Sequence, residues 1–207
     1  MIFNSDNSIV SDFETLHYNL LTFDYSKVPQ KYRIGNSEDA VVVFRGDVAG
    51  MQLQGISSRA FKSGNFERVL EAKRIVEEEN EHDISMLIDM HTGMLGVSPL
   101  ISTTYNPELA QFFAPTRFDV LKQPKRTIYK LQICANRAIV DADNIGKSGK
   151  CGEILVLGFI YPYEIKAFKK VNDDFSSEFL VGHLLKDTYL WRSPNRLVKD
   201  SRNWVEL

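Results

Sequence analysis

Three short apolar stretches constrain this chain most: Val-Val-Val-Phe-Arg-Gly-Asp at 41–47, Leu-Ile-Ser-Thr-Thr at 100–104 and Gly-Glu-Ile-Leu-Val-Leu-Gly at 152–158. Runs rich in β-branched residues favour strands, and runs this apolar favour strands inside a sheet. Each stretch nevertheless sets one polar side chain on its end or edge: Arg45, Ser102 and Glu153. A buried charge must be paired or must line a cavity. The three residues therefore either find separate internal partners or converge on one cleft. Together in a cleft they suit an anionic, ribose-bearing ligand, because a guanidinium forks onto phosphate and a carboxylate accepts from sugar hydroxyls.

Around these strands the pattern changes several times. The first 40 residues hold a helix over about 11–21, then a polar connection over 25–39 punctuated by Pro29 and Gly35. Val41 to Arg45 reads as a buried strand that Gly46 ends. Phe66, Val69, Leu70, Lys73 and Val76 recur at helical spacing, which predicts a helix over 66–80 closed by a hydrated Glu77-Glu78-Glu79 run. Residues 84–90 suit a further helix or a loop, and Thr92-Gly93 reads as a turn. Asn106 as cap and Pro107 in the first turn open a helix carrying Leu109, Ala110, Phe112 and Phe113 inward. Strands are predicted over 127–133, 138–140, 154–160 and 163–168, with a Gly-, Lys- and Ser-rich loop at 144–149. Beyond residue 171 the chain is polar and aromatic, and reads as an extension wrapped on the core. This order predicts an α+β fold in a single domain over 1–207. Its core spans about 41–168, with an N-terminal helical segment over 1–40 and a C-terminal extension over 171–207.

Charge and motif content exclude several function classes. With 25 Lys and Arg against 27 Asp and Glu, the net charge of −2 argues against a general polyanion binder, which needs a cationic surplus. No apolar run is long enough to span a bilayer. The N-terminus lacks the basic and apolar regions of a Sec signal, so simple Sec export is not expected. Cys134 and Cys151 read as free thiols. No His, Cys, Asp and Glu grouping has metal-site spacing, and no Rossmann-type or P-loop glycine motif occurs.

Each candidate residue has a plain structural account beside a functional one. Arg45 pairs with an internal carboxylate such as Asp47 or Glu153, or it reads a diphosphate or ribose, with Gly46 letting the ligand approach the backbone. Ser102, Thr103 and Thr104 cap the following helix, or the serine holds a catalytic carboxylate in one rotamer. No Gly-x-Ser-x-Gly elbow surrounds Ser102, so a serine hydrolase is not expected. Glu153 faces solvent at a strand end, or it grips a ribose hydroxyl and stabilises positive charge as a glycosidic bond opens. His91 caps a turn or hydrogen-bonds a ligand, and His82 lies at a solvated helix end.

Taken in order, the three segments resemble the R-S-E class of mono-ADP-ribosyltransferases, the cholera- and pertussis-toxin-like enzymes. Phe44-Arg45-Gly46-Asp47 is similar to that family's aromatic-Arg-x-Asp strand, and Ile101-Ser102-Thr103-Thr104 to its Ser-Thr-Ser or Ser-Thr-Thr strand. Glu153 and the apolar run after it resemble the family's glutamate strand, and residues 128–141 its strand leading to Asn-x-x-x-Val-Asp. The resemblance spans about residues 41–168 and implies a split β-sandwich of the ADP-ribosyltransferase type. It implies NAD as co-substrate and no metal. By the same resemblance Arg45 anchors the phosphate and ribose side of NAD and Ser102 orders Glu153. Glu153 binds the nicotinamide-ribose hydroxyl and stabilises an oxocarbenium-like transition state. Gly46, Asp47, Thr103 and His91 complete the implied NAD site.

One position departs from the family. Arginine-modifying members carry Glu-x-Glu and several others Gln-x-Glu, whereas this chain has Cys151-Gly152-Glu153. The first residue of that triplet serves the acceptor, so Cys151 is the acceptor-side candidate and the acceptor stays open. The resemblance implies a bacterial toxin or effector, secreted without a Sec signal, that modifies a host protein in the host cytoplasm. A nucleic-acid acceptor is not favoured. An NAD glycohydrolase, with water as acceptor, and an inactive binding module on the same fold are the alternatives. Tyr189, Trp191, Arg192 and Trp204 either pack on the core or contact a protein target.

Overall fold

The computed structural model describes residues 19–78, 80–93, 97–107, 110, 126–140, 153–170 and 205–207. Their order is β1 (Ala40–Val48), α1 (Met51–Gln54), β2 (Ile56–Ser57), α2 (Arg59–Lys62), α3 (Phe66–Glu78), α4 (Glu81–Gly93) and β3 (Leu100–Thr104). Then follow β4 (Arg126–Cys134), β5 (Ala138–Val140), β6 (Glu153–Leu157), β7 (Phe159–Ile160), β8 (Ile165–Lys170) and β9 (Val205–Glu206). Seven strands form one antiparallel sheet in the order β5-β6-β3-β1-β4-β8-β9, and β2 pairs with β7. The fold is α+β.

The sheet divides between β1 and β3. Strands β1 and β4 register along their length, from Ala40–Cys134 to Val48–Arg126, and β3 and β6 from Leu100–Leu157 to Thr104–Glu153. Strands β1 and β3 share only the Phe44–Thr104 pair. Side chains from both halves then meet in one apolar cluster: Val43, Tyr129 and Leu131 from one, Ile101, Ile154 and Val156 from the other. Side chains alternate across a strand, so Leu100, Leu155 and Leu157 emerge on the opposite face. There they pack with Val69, Ala72 and Val76 of α3 and Ile84, Leu87 and Ile88 of α4. Burial of each large aliphatic contributes about 1.5–3 kcal/mol, and these two clusters hold the helices and both half-sheets together.

Several elements differ from the sequence expectation. Gly46 does not end β1; the strand runs on to Val48, with Gly46 buried opposite Ile128, because β4 keeps satisfying its backbone. The buried stripe of α3 is Val69, Ala72 and Val76, while Phe66 and Leu70 are 42% and 51% exposed. That helix stops at Glu78. Asn80 instead caps α4, its Oδ1 accepting the N–H groups of His82 and Asp83 at 2.9 and 3.2 Å. Glu77 is not a hydrated surface carboxylate. It accepts the Asp24 N–H at 2.6 Å and pairs with Lys73, whose ammonium also reaches the Thr22 carbonyl. Glu78 and His82 are exposed.

Helix α4 continues through Thr92 and Gly93 rather than turning there. The apolar run over 154–160 breaks at Gly158, whose φ of 68° a side chain would resist. A 3-10 turn at Pro162–Glu164 takes the place of the strand start expected at Tyr163. The connection before β1 buries Tyr25, Val28 and Tyr32. Cys134 is a free thiol that donates to the Ser37 carbonyl at 3.1 Å. Of the C-terminal extension, β9 adds to the sheet edge beside β8.

The predicted helix over 11–21 before residue 19, the interior of the helix opened by Pro107 apart from Ala110, and the loop at 144–149 lie outside the described residues. So do Cys151, Tyr189, Trp191, Arg192 and Trp204. Among the described residues no helix is long and apolar enough to cross a membrane.

Candidate functional site

Helical spacing carries His91 to the sheet. Ile84, Leu87 and Ile88 form the buried face of α4, and His91 follows at the next turn of that face. On β3 the alternation that turns Leu100 toward the helices turns Ser102 and Thr104 the same way. The Thr104–Glu153 register puts Glu153 on that face too, diagonal to Ser102. His91 Nε2 consequently lies 2.7 Å from Ser102 Oγ and 3.8 Å from Glu153 Oε1. Its other ring nitrogen, Nδ1, meets Ser98 Oγ at 2.5 Å.

Arg45 enters from β1 across the seam of the sheet. Its Nη1 donates to the Ser102 carbonyl at 2.7 Å and its Nε to Asp47 Oδ2 at 2.9 Å. The second Asp47 oxygen accepts the Val48 N–H at 2.8 Å, which fixes the carboxylate that orients the guanidinium. The internal partner of Arg45 is thus Asp47. Arg45, Asp47 and Glu153 remain 23%, 18% and 21% exposed, so the cluster is sheltered without being sealed.

Burial pushes the Glu153 carboxyl up, but the polar His91 and Ser102 side chains beside it and the nearby Arg45 guanidinium outweigh it. The group is held below the ordinary carboxyl value of 4.5 and is an anion at neutral pH. It can therefore stabilise developing positive charge or accept hydrogen bonds, and it is poorly suited to donate a proton.

The three hydroxyls after Ile101 have separate partners. Ser102 meets His91 Nε2, whereas Thr103 is buried on the other face of β3 and donates to the Ile154 carbonyl at 2.8 Å. Thr104 Oγ1 accepts the Asn106 N–H at 3.1 Å, so the capping expected of the cluster falls to Thr104. The structure brings together Arg45, Asp47, Ser102, Glu153 and His91. Gly46 stays in the β1 ladder beside Arg45, and Thr103 is not part of the cluster. Ser98 is the residue that sequence reasoning missed; the available signal was a serine immediately before Pro99. Behind Ser98 and His91, a cavity of about 350 Å³ opens between α3 and α4, walled by Ile75, Met86, Leu87 and Met90. Among the described residues, no group of three or more His, Cys, Asp and Glu side chains is arranged to hold a metal ion.

No protein-family model, curated protein or solved structure matches the chain.

Proposed function

We propose that this chain is an NAD-dependent mono-ADP-ribosyltransferase of the R-S-E class that modifies a protein. The supporting observation is the meeting of Arg45, Ser102 and Glu153, from β1, β3 and β6, around His91. The division of the sheet between β1 and β3 supports the split β-sandwich that the resemblance implies, because the arginine and serine strands flank the seam.

The residues present suit NAD. Arg45 supplies a fixed cation for the diphosphate side, and Glu153 supplies an acceptor for ribose hydroxyls. NAD itself brings the glycosidic carbon and nicotinamide as leaving group. Ser102 and His91 hold the Glu153 carboxylate, and that anion stabilises the cationic character that develops on the ribose. The Asp47 pair keeps the Arg45 guanidinium in one orientation, so less entropy is lost when an anion arrives. In the wider reading the chain is a bacterial toxin or effector acting on a host protein.

Cys151-Gly152-Glu153 favours a second reading, an NAD glycohydrolase, because no carboxylate or carboxamide stands two residues before Glu153 to receive an acceptor side chain. Incubation with labelled NAD and candidate target proteins tests both readings. Transfer of label by the wild type, reduced about 10²–10³-fold in Glu153→Ala, supports the transferase. Nicotinamide release without labelled protein selects the glycohydrolase. Equal transfer by the variant removes Glu153 from the mechanism.

A further inference from the structure

Ser98 lies between the backbone of β3 and the His91 ring, and its surroundings assign its single proton. The residue is 7% exposed. Its Oγ accepts the Leu100 N–H at 3.2 Å. The hydroxyl proton has two acceptors within reach: His91 Nδ1 at 2.5 Å and the Leu100 carbonyl at 3.5 Å. The shorter contact takes it, so Nδ1 accepts and the imidazole proton sits on Nε2.

The surroundings of the other ring nitrogen agree. An ionised Glu153 only accepts hydrogen bonds, and its Oε1 lies 3.8 Å from His91 Nε2, so a proton on that nitrogen faces the anion. Ser102 Oγ, 2.7 Å from Nε2, accepts that proton. At 3.8 Å Glu153 itself is too far for a hydrogen bond to Nε2, so Ser102 is the acceptor in reach.

We propose that Ser98 is a positioning residue that locks His91 in its Nε2–H form. It completes a one-way hydrogen-bond chain from the Leu100 N–H through Ser98 and His91 to Ser102, at the edge of Glu153. Reversing the imidazole would draw the Ser102 proton onto Nε2 and turn a lone pair, in place of an N–H, toward Glu153. The kinetic consequence rests on the transferase reading; the tautomer does not.

The test uses the full chain with ¹⁵N-labelled histidine and long-range ¹H–¹⁵N correlation spectra at neutral pH. The chain has four histidines, and the His91 signals are those lost in His91→Gln. The expected result is an Nε2–H tautomer in the wild type, a tautomer mixture in Ser98→Ala, and the wild-type pattern in Ser98→Thr. A wild-type His91 protonated on Nδ1, or on both nitrogens, overturns the proposal, as does an unchanged spectrum in Ser98→Ala. If Ser98→Ala does not fold, the wild type and Ser98→Thr still decide. With label transfer as readout, Ser98→Ala lowers kcat roughly tenfold with KM unchanged, the scale of one lost hydrogen bond. Absence of transfer in the wild type counts against the transferase reading alone and leaves the spectra to judge Ser98.

Discussion

Arg45 donates from Nη1 to the main-chain oxygen of Ser102 at 2.7 Å, across strands that register only at Phe44–Thr104. A side chain thus holds the two half-sheets together where the β1–β3 ladder is minimal. Asp47 completes the arrangement by taking Nε at 2.9 Å. Lysine carries the charge as one point and cannot serve both acceptors in this geometry. Arg45→Lys is expected to lose about 1.5–3 kcal/mol of stability in urea unfolding, the range for hydrogen bonds to a charged group. Label transfer should fall with it. Unchanged stability would show that the seam does not depend on the guanidinium fork.

Glu153 ties acid stability to the site. Its folded pKa lies below the ordinary value of 4.5, so the unfolded chain takes up this proton first as the pH falls. The stabilisation is fully present above 4.5 and is lost as the pH drops through the lower folded value. Unfolding free energies of wild type and Glu153→Gln, measured across that window, should converge as acid is added. A difference that grows toward low pH would contradict the assignment.

Away from the site, Arg137 is fully buried and pairs with Glu164, donates to the Phe159 carbonyl and stacks 5.2 Å over the Tyr161 ring. Removing one partner strands the other charge in the interior, at a cost of about 3–5 kcal/mol. Arg137→Met should therefore unfold at markedly lower urea, and Arg137→Met with Glu164→Leu should recover part of the loss. Additive effects in this double-mutant cycle would mean that the two charges do not act as a pair.

Two glycines separate backbone strain from crowding. Gly55 and Gly64 have φ values of 78° and 74°, but a Cβ on Gly55 would lie 2.5 Å from the Ile160 carbonyl, while one on Gly64 meets nothing within 4 Å. Gly64→Ala should cost about 1–2 kcal/mol, the left-handed penalty alone. Gly55→Ala should cost clearly more. Equal melting shifts would show that the β2–β7 contact yields easily.

The strands were legible because β-branched residues cluster in them, and the break at Gly158 has its glycine in plain sight. The buried face of α3 was misread because Phe66 and Leu70 are large and apolar, whereas close packing against the sheet selected Ala72. Glu77 looked like part of an acidic surface run, since its backbone partner Asp24 lies far away in sequence. Ser98 carries no motif at all. Its role depends on α4 delivering His91 to the same place as β3.

Local chemistry in the chain accounts for the α+β class, the main strand segments and the residue types able to bind an anionic ribose. Those properties follow from propensity and periodicity, which act over a few neighbouring residues. Packing decided that Arg45 pairs with Asp47, that Thr103 turns away, and that His91 joins Ser102 to Ser98. Those contacts depend on strand register and on the angle at which α4 meets the sheet. Arg45 and Asp47 are neighbours on β1 and their pairing was readable as one option, but the Arg45–Ser102 and Thr103–Ile154 contacts join segments distant in sequence, where no local pattern records them.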